Sequence, residues 1–223
     1  RAPRRSRAPF LGKRRMSRPL VITDCDEVLL HMVRHFRDWL DTEHDLDFSL
    51  EGDPFLQSMR RRGSEEPVSE KEVWALLNGF FDTQMPRQTA IEGSIEAIGE
   101  LQREADVVVL TNLADHRQDD RVRQLADLGI EAKVYTNQGP KGAALARIVE
   151  EHAPSRALFI DDIAVHHRSA SEVVPEIRRL HFCGEPAIAR HVNCALEAGH
   201  AHARIDNWAD ALPWVLGNLH GDD

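Results

Sequence analysis

Four short segments of this 223-residue chain end in side chains able to do chemistry. In order they are Leu20-Val21-Ile22-Thr23-Asp24-Cys25-Asp26, Val107-Val108-Val109-Leu110-Thr111-Asn112, Gly139-Pro140-Lys141-Gly142 and Ala157-Leu158-Phe159-Ile160-Asp161-Asp162. Three are apolar strands that stop abruptly at Asp24, Thr111 and Asp161, and the other sets Lys141 at the start of a helix. Together they offer a carboxylate nucleophile and a second carboxylate to move a proton. They also offer a hydroxyl and a cation to hold a phosphoryl group, and acids to hold a divalent ion.

An Asp-x-Asp pair after a hydrophobic run arises often by chance. All four segments in this order, each on its expected element, resemble the haloacid-dehalogenase-like hydrolase superfamily over residues 19 to 182. Most of its members are magnesium-dependent phosphatases. The resemblance implies a Rossmann-like doubly wound parallel sheet whose first strand is central, with the strands of the second and fourth segments as its neighbours. It further implies a small α-helical cap inserted after the first motif.

Carried onto this sequence, the resemblance makes Asp24 the nucleophile, forming an aspartyl-phosphate, and Asp26 the general acid and base. Thr111 and Asn112 would bind the phosphoryl group through the hydroxyl and backbone N–H groups, and Lys141 would neutralise its charge. Asp24, Asp161 and the backbone carbonyl of Asp26 would hold Mg2+, with Asp162 in the outer shell. Carboxylates about 4 Å apart repel by about 4 kcal/mol per pair at an effective dielectric of 20, so they need a cation or protons. Glu27 stands where many such phosphatases have Gly, a departure that bears on how the loop after the strand turns.

The elements that must position these residues follow from hydrophobic periodicity. Strands are predicted at 19–24, 106–111, 132–136, 157–161 and 177–182, with a sixth at 202–205. Helices are predicted near 92–104, 115–128, 141–152, 166–173, 186–197 and 207–217. Gly129 reads as a helix C-terminal cap. Between the first two strands, an apolar face runs through Met32, Val33, Phe36, Trp39 and Leu40. Ser69 and Glu72 form a capping box opening a second helix with Val73, Leu76, Leu77, Phe80 and Phe81. The stretch 45–66, with Gly52, Asp53, Pro54 and Arg60 to Arg62, reads as an irregular loop. The expected organisation is a basic tail without a fold at 1–17, a hydrolase core at 18–30 and 87–220, and a helical cap at 31–86.

Charge and composition narrow the partners. Eight of the 28 basic residues fall in the first 23 positions with no acid among them, so the rest of the chain is more acidic than the overall −9. An acidic body argues against nucleic acid as a partner of the folded domain. No apolar run reaches the roughly 20 residues that span a bilayer. The residues before Met16 read as an upstream extension, and the sparse set Cys25, Cys183 and Cys194 points to a reducing cytoplasm.

Other side chains receive plain readings. His166 and His167 fit an exposed helix face, and Cys25 a packed core thiol. His181, Cys183, His191, Cys194, His200 and His202 match no zinc pattern. The expected function is phosphomonoester hydrolysis on a small phosphorylated metabolite. A phosphotransferase or mutase using the same site, or a non-catalytic binding protein keeping the fold, are the alternatives. His31, Arg34, His35 and Arg60 to Arg62 are cap residues able to meet an anionic substrate.

Overall fold

The computed structural model describes residues 17–50 and 55–221. The Arg-rich tail before Ser17 and the loop residues Gly52, Asp53 and Pro54 lie outside the described residues. The core strands are β1 (Leu20–Thr23), β4 (Asp106–Thr111), β5 (Lys133–Thr136), β6 (Ala157–Asp161), β7 (Arg178–His181) and the two-residue β8 (Ala203–Arg204). They form one parallel sheet in the order β5-β4-β1-β6-β7-β8. β1 is therefore central and flanked by β4 and β6.

The core strands are short apolar runs because both faces of the sheet are covered. Val21, Val107, Val109, Leu158 and Ile160 point to one side, onto α3 (Ser94–Glu104), α4 (Gln118–Asp127) and α8 (Trp208–His220). Leu20, Ile22, Val108, Leu110 and Phe159 point to the other, onto α5 (Gly142–His152) and α6 (Ala164–Val173). Gly129, at φ +87°, ends α4 with bonds from its N–H to Ala126 and from Ile130 N–H to Leu125, so the expected cap is present.

Between β1 and β4 lie α1 (Val33–His44), the antiparallel pair β2 (Leu46–Phe48) and β3 (Met59–Arg61), and α2 (Glu70–Thr83). They enclose a separate cluster built on Phe36, Leu40, Leu46, Met59, Val73 and Phe80. Ser69 Oγ accepts from Glu72 N–H at 3.3 Å, as a capping box requires. Part of the stretch expected as irregular loop is instead a hairpin. Its three-residue strands alternate too briefly to show a period, yet they bury Leu46 and Met59.

A second difference lies after β7. The predicted helix at 186–197 is only α7 (Pro186–Ala189). Side chains take the backbone groups that a longer helix would use: Arg204 donates to Ala189 O at 3.0 Å and Ala195 N–H donates to His181 Nδ1 at 2.9 Å. Among the described residues no helix is long and apolar enough to cross a membrane. The three cysteines are unpaired.

The close pairing of α5 and α6 rests on Gly142. A Cβ there would lie 2.5 Å from the Ser169 carbonyl oxygen, whereas one on Gly99 of α3 would meet nothing within 4 Å. Gly142→Ala should therefore cost about 1–3 kcal/mol by forcing the helices apart. Gly99→Ala should be neutral or stabilising by about 0.5–1 kcal/mol. Urea denaturation measures both, and equal midpoints would contradict the packing argument.

Candidate active site

β1, β4 and β6 end at the same edge of the sheet, beside the point where the strand order reverses, which is where open α/β sheets bind ligands. Asp24 follows β1, Thr111 ends β4, Asp161 ends β6 and Lys141 immediately precedes α5. All four are buried. Lys141 Nζ donates to Asp161 Oδ2 at 2.7 Å and stands 2.8 Å from Asp24 Oδ1, an ion contact outside hydrogen-bonding alignment. Asp161 Oδ1 accepts from Ile163 N–H at 2.8 Å, so both of its oxygens are engaged.

Asp24, Asp161 and Asp162 each offer an oxygen within 4.8 Å of the others. One ammonium does not balance three acids. Burial raises Asp24 to about 7 against the opposing pull of Lys141, with Asp161 and Asp26 adding to the rise. Burial, then Asp161 and Asp24, hold Asp162 well above the usual carboxylate range. Burial also opposes charge on Asp161, but Lys141 outweighs it and keeps that carboxyl low. Lys141, although buried, is pushed up by its two acids. A hard divalent cation suits this all-oxygen set, and the unbalanced charge on Asp24 and Asp162 is what it would neutralise.

Asp26 lies in the same cavity but its carboxylate is held from behind. The fully buried Arg121 donates to both oxygens at 3.1 and 3.0 Å, and Gln88 Nε2 donates to Oδ1 at 2.7 Å. Arg121 also reaches Cys25 Sγ at 3.2 Å and Gln124 Oε1 at 3.0 Å. Cys25 is buried in the core, and burial pushes its thiol up. Sequence reasoning missed Arg121. The available signal was its spacing, since Arg121, Gln124, Leu125 and Leu128 make one helical stripe with a cation in a core position.

Asn112 Nδ2 donates to Gly139 O at 3.0 Å, and Asn112 Oδ1 accepts from Asn137 at 2.9 Å. Its side chain thus ties the end of β4 to the loop before Lys141. His166 and His167 are not exposed as expected; both are buried. α6 starts two residues after Asp162 and turns its histidines toward the strand end while Val165 and Val173 face solvent. The His167 ring shares a 2.9 Å bond with Asp161 O, and burial pushes it down to about 4. His181 Nε2 donates to Asp162 O at 2.8 Å while its Nδ1 takes a backbone N–H, which places it in the scaffold of the acidic loop.

These groups open into a cavity of about 910 Å³. Asp24, Asp26, Glu27, Thr111, Asn112 and Asp162 line its floor, and the insertion between β1 and β4 lines the opposite wall. Of the cap residues expected to meet substrate, Arg34 is bonded to Glu185 at 2.7 Å and Arg61 to Glu72 at 2.5 Å. His31 is 3.3 Å from Glu185, and His35 Nε2 contacts Thr89 Oγ1 at 2.9 Å. None of these residues, nor Arg60 or Arg62, lines the cavity.

No protein-family model matches the chain, and no curated protein sequence matches it. Solved structures do. A haloacid-dehalogenase-like family hydrolase from Streptococcus pneumoniae superposes with a TM-score of 0.62 at 12% identity, over 90% of this chain and 98% of that one. A candidate phosphoglycolate phosphatase from Lactobacillus plantarum gives 0.59 at 16% identity, over 89% and 99%. YfnB from Bacillus subtilis, a candidate hydrolase of the same superfamily solved bound to magnesium, gives 0.57 at 13% identity, over 88% and 97%. The chain has the Rossmann-like α/β fold of the haloacid-dehalogenase-like hydrolases.

Proposed function

We propose that this protein is a magnesium-dependent phosphomonoester hydrolase that works through an aspartyl-phosphate on Asp24. The observation that carries this reading is the buried Lys141 touching both Asp24 and Asp161 beneath a cavity whose floor remains acidic. Asp24 and Asp162, with the backbone carbonyl of Asp26, would hold the ion, and Asp161 would anchor Lys141. That exchanges the parts the sequence suggests for Asp161 and Asp162, because Asp161 already spends both oxygens on Lys141 and Ile163. When bound, magnesium supplies positive charge to the acids and to the phosphoryl oxygens.

In the first step a carboxylate oxygen of Asp24 attacks phosphorus, the bond from phosphorus to the alcohol oxygen breaks, and Asp26 gives that oxygen a proton. In the second, Asp26 takes a proton from water as the water oxygen attacks phosphorus. The bond to Asp24 then breaks and inorganic phosphate leaves. Thr111 through its hydroxyl, Asn112 through its backbone N–H and Lys141 through its charge stabilise the transferring group.

Asp24→Asn should lower phosphate release from a generic aryl phosphate by about 1,000-fold or more. Acid-quenched wild type should carry a phosphoryl group that the variant lacks. Equal slow rates for the two proteins would instead indicate a binding protein that keeps the fold.

Magnesium binding should depend on pH in a defined direction. Asp24 takes up a proton in the metal-free fold as pH falls through about 7, and Asp162 is raised in the same direction, while the unfolded chain does so only near the ordinary carboxylate range. The metal-free protein therefore loses the contribution of Asp24 as pH rises through about 7, and the ion restores it. The rise in melting temperature on adding magnesium should be larger at pH 8 than at pH 5.5. An equal rise at both would place the ion elsewhere.

The Asp26–Arg121 pair is separable by a double-mutant cycle. Arg121→Met strands a largely buried carboxylate and should cost about 3 kcal/mol. Adding Asp26→Asn should recover at least about half of that, since the amide keeps the shape without the charge. Simple additivity in urea denaturation would show that the two side chains are not coupled.

A further inference from the structure

The acidic floor occupies only one side of the cavity. Every described residue that lines it from the insertion is apolar: Val33, Leu50, Phe55, Trp74, Leu77 and Phe81, with Met32 at the start of α1. The core side adds Ile163, Ile188 and Val192. Arg190, His191 and Asn193 also line it, and Arg190 Nε donates to His191 Nε2 at 3.0 Å.

α2 shows that this wall is more than the back of a hydrophobic core. Val73, Leu76 and Phe80 form one stripe at helical spacing and are buried in the cluster of the insertion. One position further along, Trp74, Leu77 and Phe81 line the cavity; Leu77 is also a buried member of that cluster and Phe81 packs against it, so Trp74 is the exposed side chain of this row. Trp74 is 52% exposed and Ile163 is 43% exposed. Leu77 and Phe81 thus serve the packing as well as the cavity wall, whereas the exposed Trp74 and Ile163 above the reactive acids add apolar surface that packing alone does not need.

The chemistry of that surface selects among phosphate esters. A sugar or other polyhydroxy ester brought against it would bury hydroxyls without partners on that wall, which disfavours binding. A hydrocarbon group would instead gain about 25 cal/mol for each Å² removed from water. Pockets of roughly 300–1,000 Å³ take ligands of drug size, so a cavity of about 910 Å³ has room well beyond a phosphoryl group.

We infer that the substrate is a phosphate monoester of a bulky apolar alcohol, with its phosphoryl group at Asp24 and its hydrocarbon part against Phe55, Trp74, Leu77 and Phe81. This rests on the reading of Asp24 as the nucleophile of a phosphomonoester hydrolase. The released alcohol carries away its own oxygen and one proton from Asp26, and water supplies the oxygen that completes inorganic phosphate.

The n-alkyl phosphates from ethyl to octyl test this, because their leaving groups are chemically alike and differ only in the surface they bury. With magnesium present, and below the concentration at which the longer esters form micelles, kcat/KM should rise along the series by on the order of 100-fold. Octyl phosphate should be turned over faster than glucose 6-phosphate. Trp74→Ala should lower kcat/KM for the octyl ester more than for the ethyl ester. Independently of turnover, octyl phosphate should shift tryptophan emission to the blue in wild type and not in Trp74→Phe.

A flat or falling series, or a preference for glucose 6-phosphate, overturns the substrate class and leaves the hydrolase reading standing. If no ester is turned over but the emission shift is seen and depends on Trp74, the apolar recognition stands and the hydrolase reading falls. If neither turnover nor an emission shift is seen, the inference is overturned.

Discussion

The structure turns on one buried ammonium group. Lys141 is fully buried, and a lone charge in that position would cost several kcal/mol. It is retained because Asp24 and Asp161, from the ends of two adjacent strands, stand 2.8 and 2.7 Å away. The dependence runs both ways. Without the lysine, the ends of β1 and β6 would set two buried carboxylates side by side with no cation between them. Gly142 belongs to the same constraint, since only a residue without a side chain lets the start of α5 approach Ser169 and carry Lys141 under the strand ends. One cation cannot satisfy the third acid, and burial, with the neighbouring acids adding to it, holds Asp24 and Asp162 raised.

What the sequence made legible follows from where physics is local. Runs such as Val107 to Leu110 must be strands covered on both faces, and the polar residue ending each run must sit at the sheet edge. From that, Asp24, Thr111 and Asp161 could be gathered at one edge before any coordinates existed. What stayed hidden depends on contacts distant in sequence. Arg121 is 95 residues from Asp26, and only the fold brings its guanidinium behind that carboxylate. α6 carries histidines inward and valines outward, the reverse of what hydropathy suggests, because the backbone carbonyl of Asp161 takes up His167. α7 stops early for a similar reason, its last carbonyl being claimed by Arg204 from β8.

Glu27 shows how a departure from pattern can be accommodated rather than lost. It adopts φ +59°, a left-handed conformation in which Gly is usual. Such a residue costs of order 1 kcal/mol or more unless its surroundings hold it there. They do. Its carboxylate accepts from Met32 N–H at 2.9 Å and Val33 N–H at 2.6 Å, and Gly184 N–H donates to its carbonyl at 2.7 Å. α1 has no capping side chain at Met32 and no acid in its first turn, so Glu27 supplies the missing cap from five residues upstream. The residue that departs from the pattern is the one that fixes the first helix of the insertion to the end of β1. At the other end of the insertion, Arg117 binds Asp82 at 2.7 Å and Asn78 at 3.0 Å, joining α2 to the segment after β4.

These attachments set two unlike surfaces across one cavity, and the two discriminate by different physics. The floor offers charge at fixed points, so on the proposed reading it would treat every phosphoryl group alike, whatever the phosphate is attached to. The wall carrying Trp74, Leu77 and Phe81 acts through buried area, which rewards length and bulk by at most about fourfold per buried methylene and does little to reject an analogue of the same shape. A site built this way sorts its ligands by how much hydrocarbon they bring. Sharper selection would require polar groups in the wall, where an unpaired hydroxyl or amide on the wrong ligand becomes costly. The described part of the insertion directs no such group into the cavity, so on the proposed reading breadth among apolar esters would follow from the packing itself.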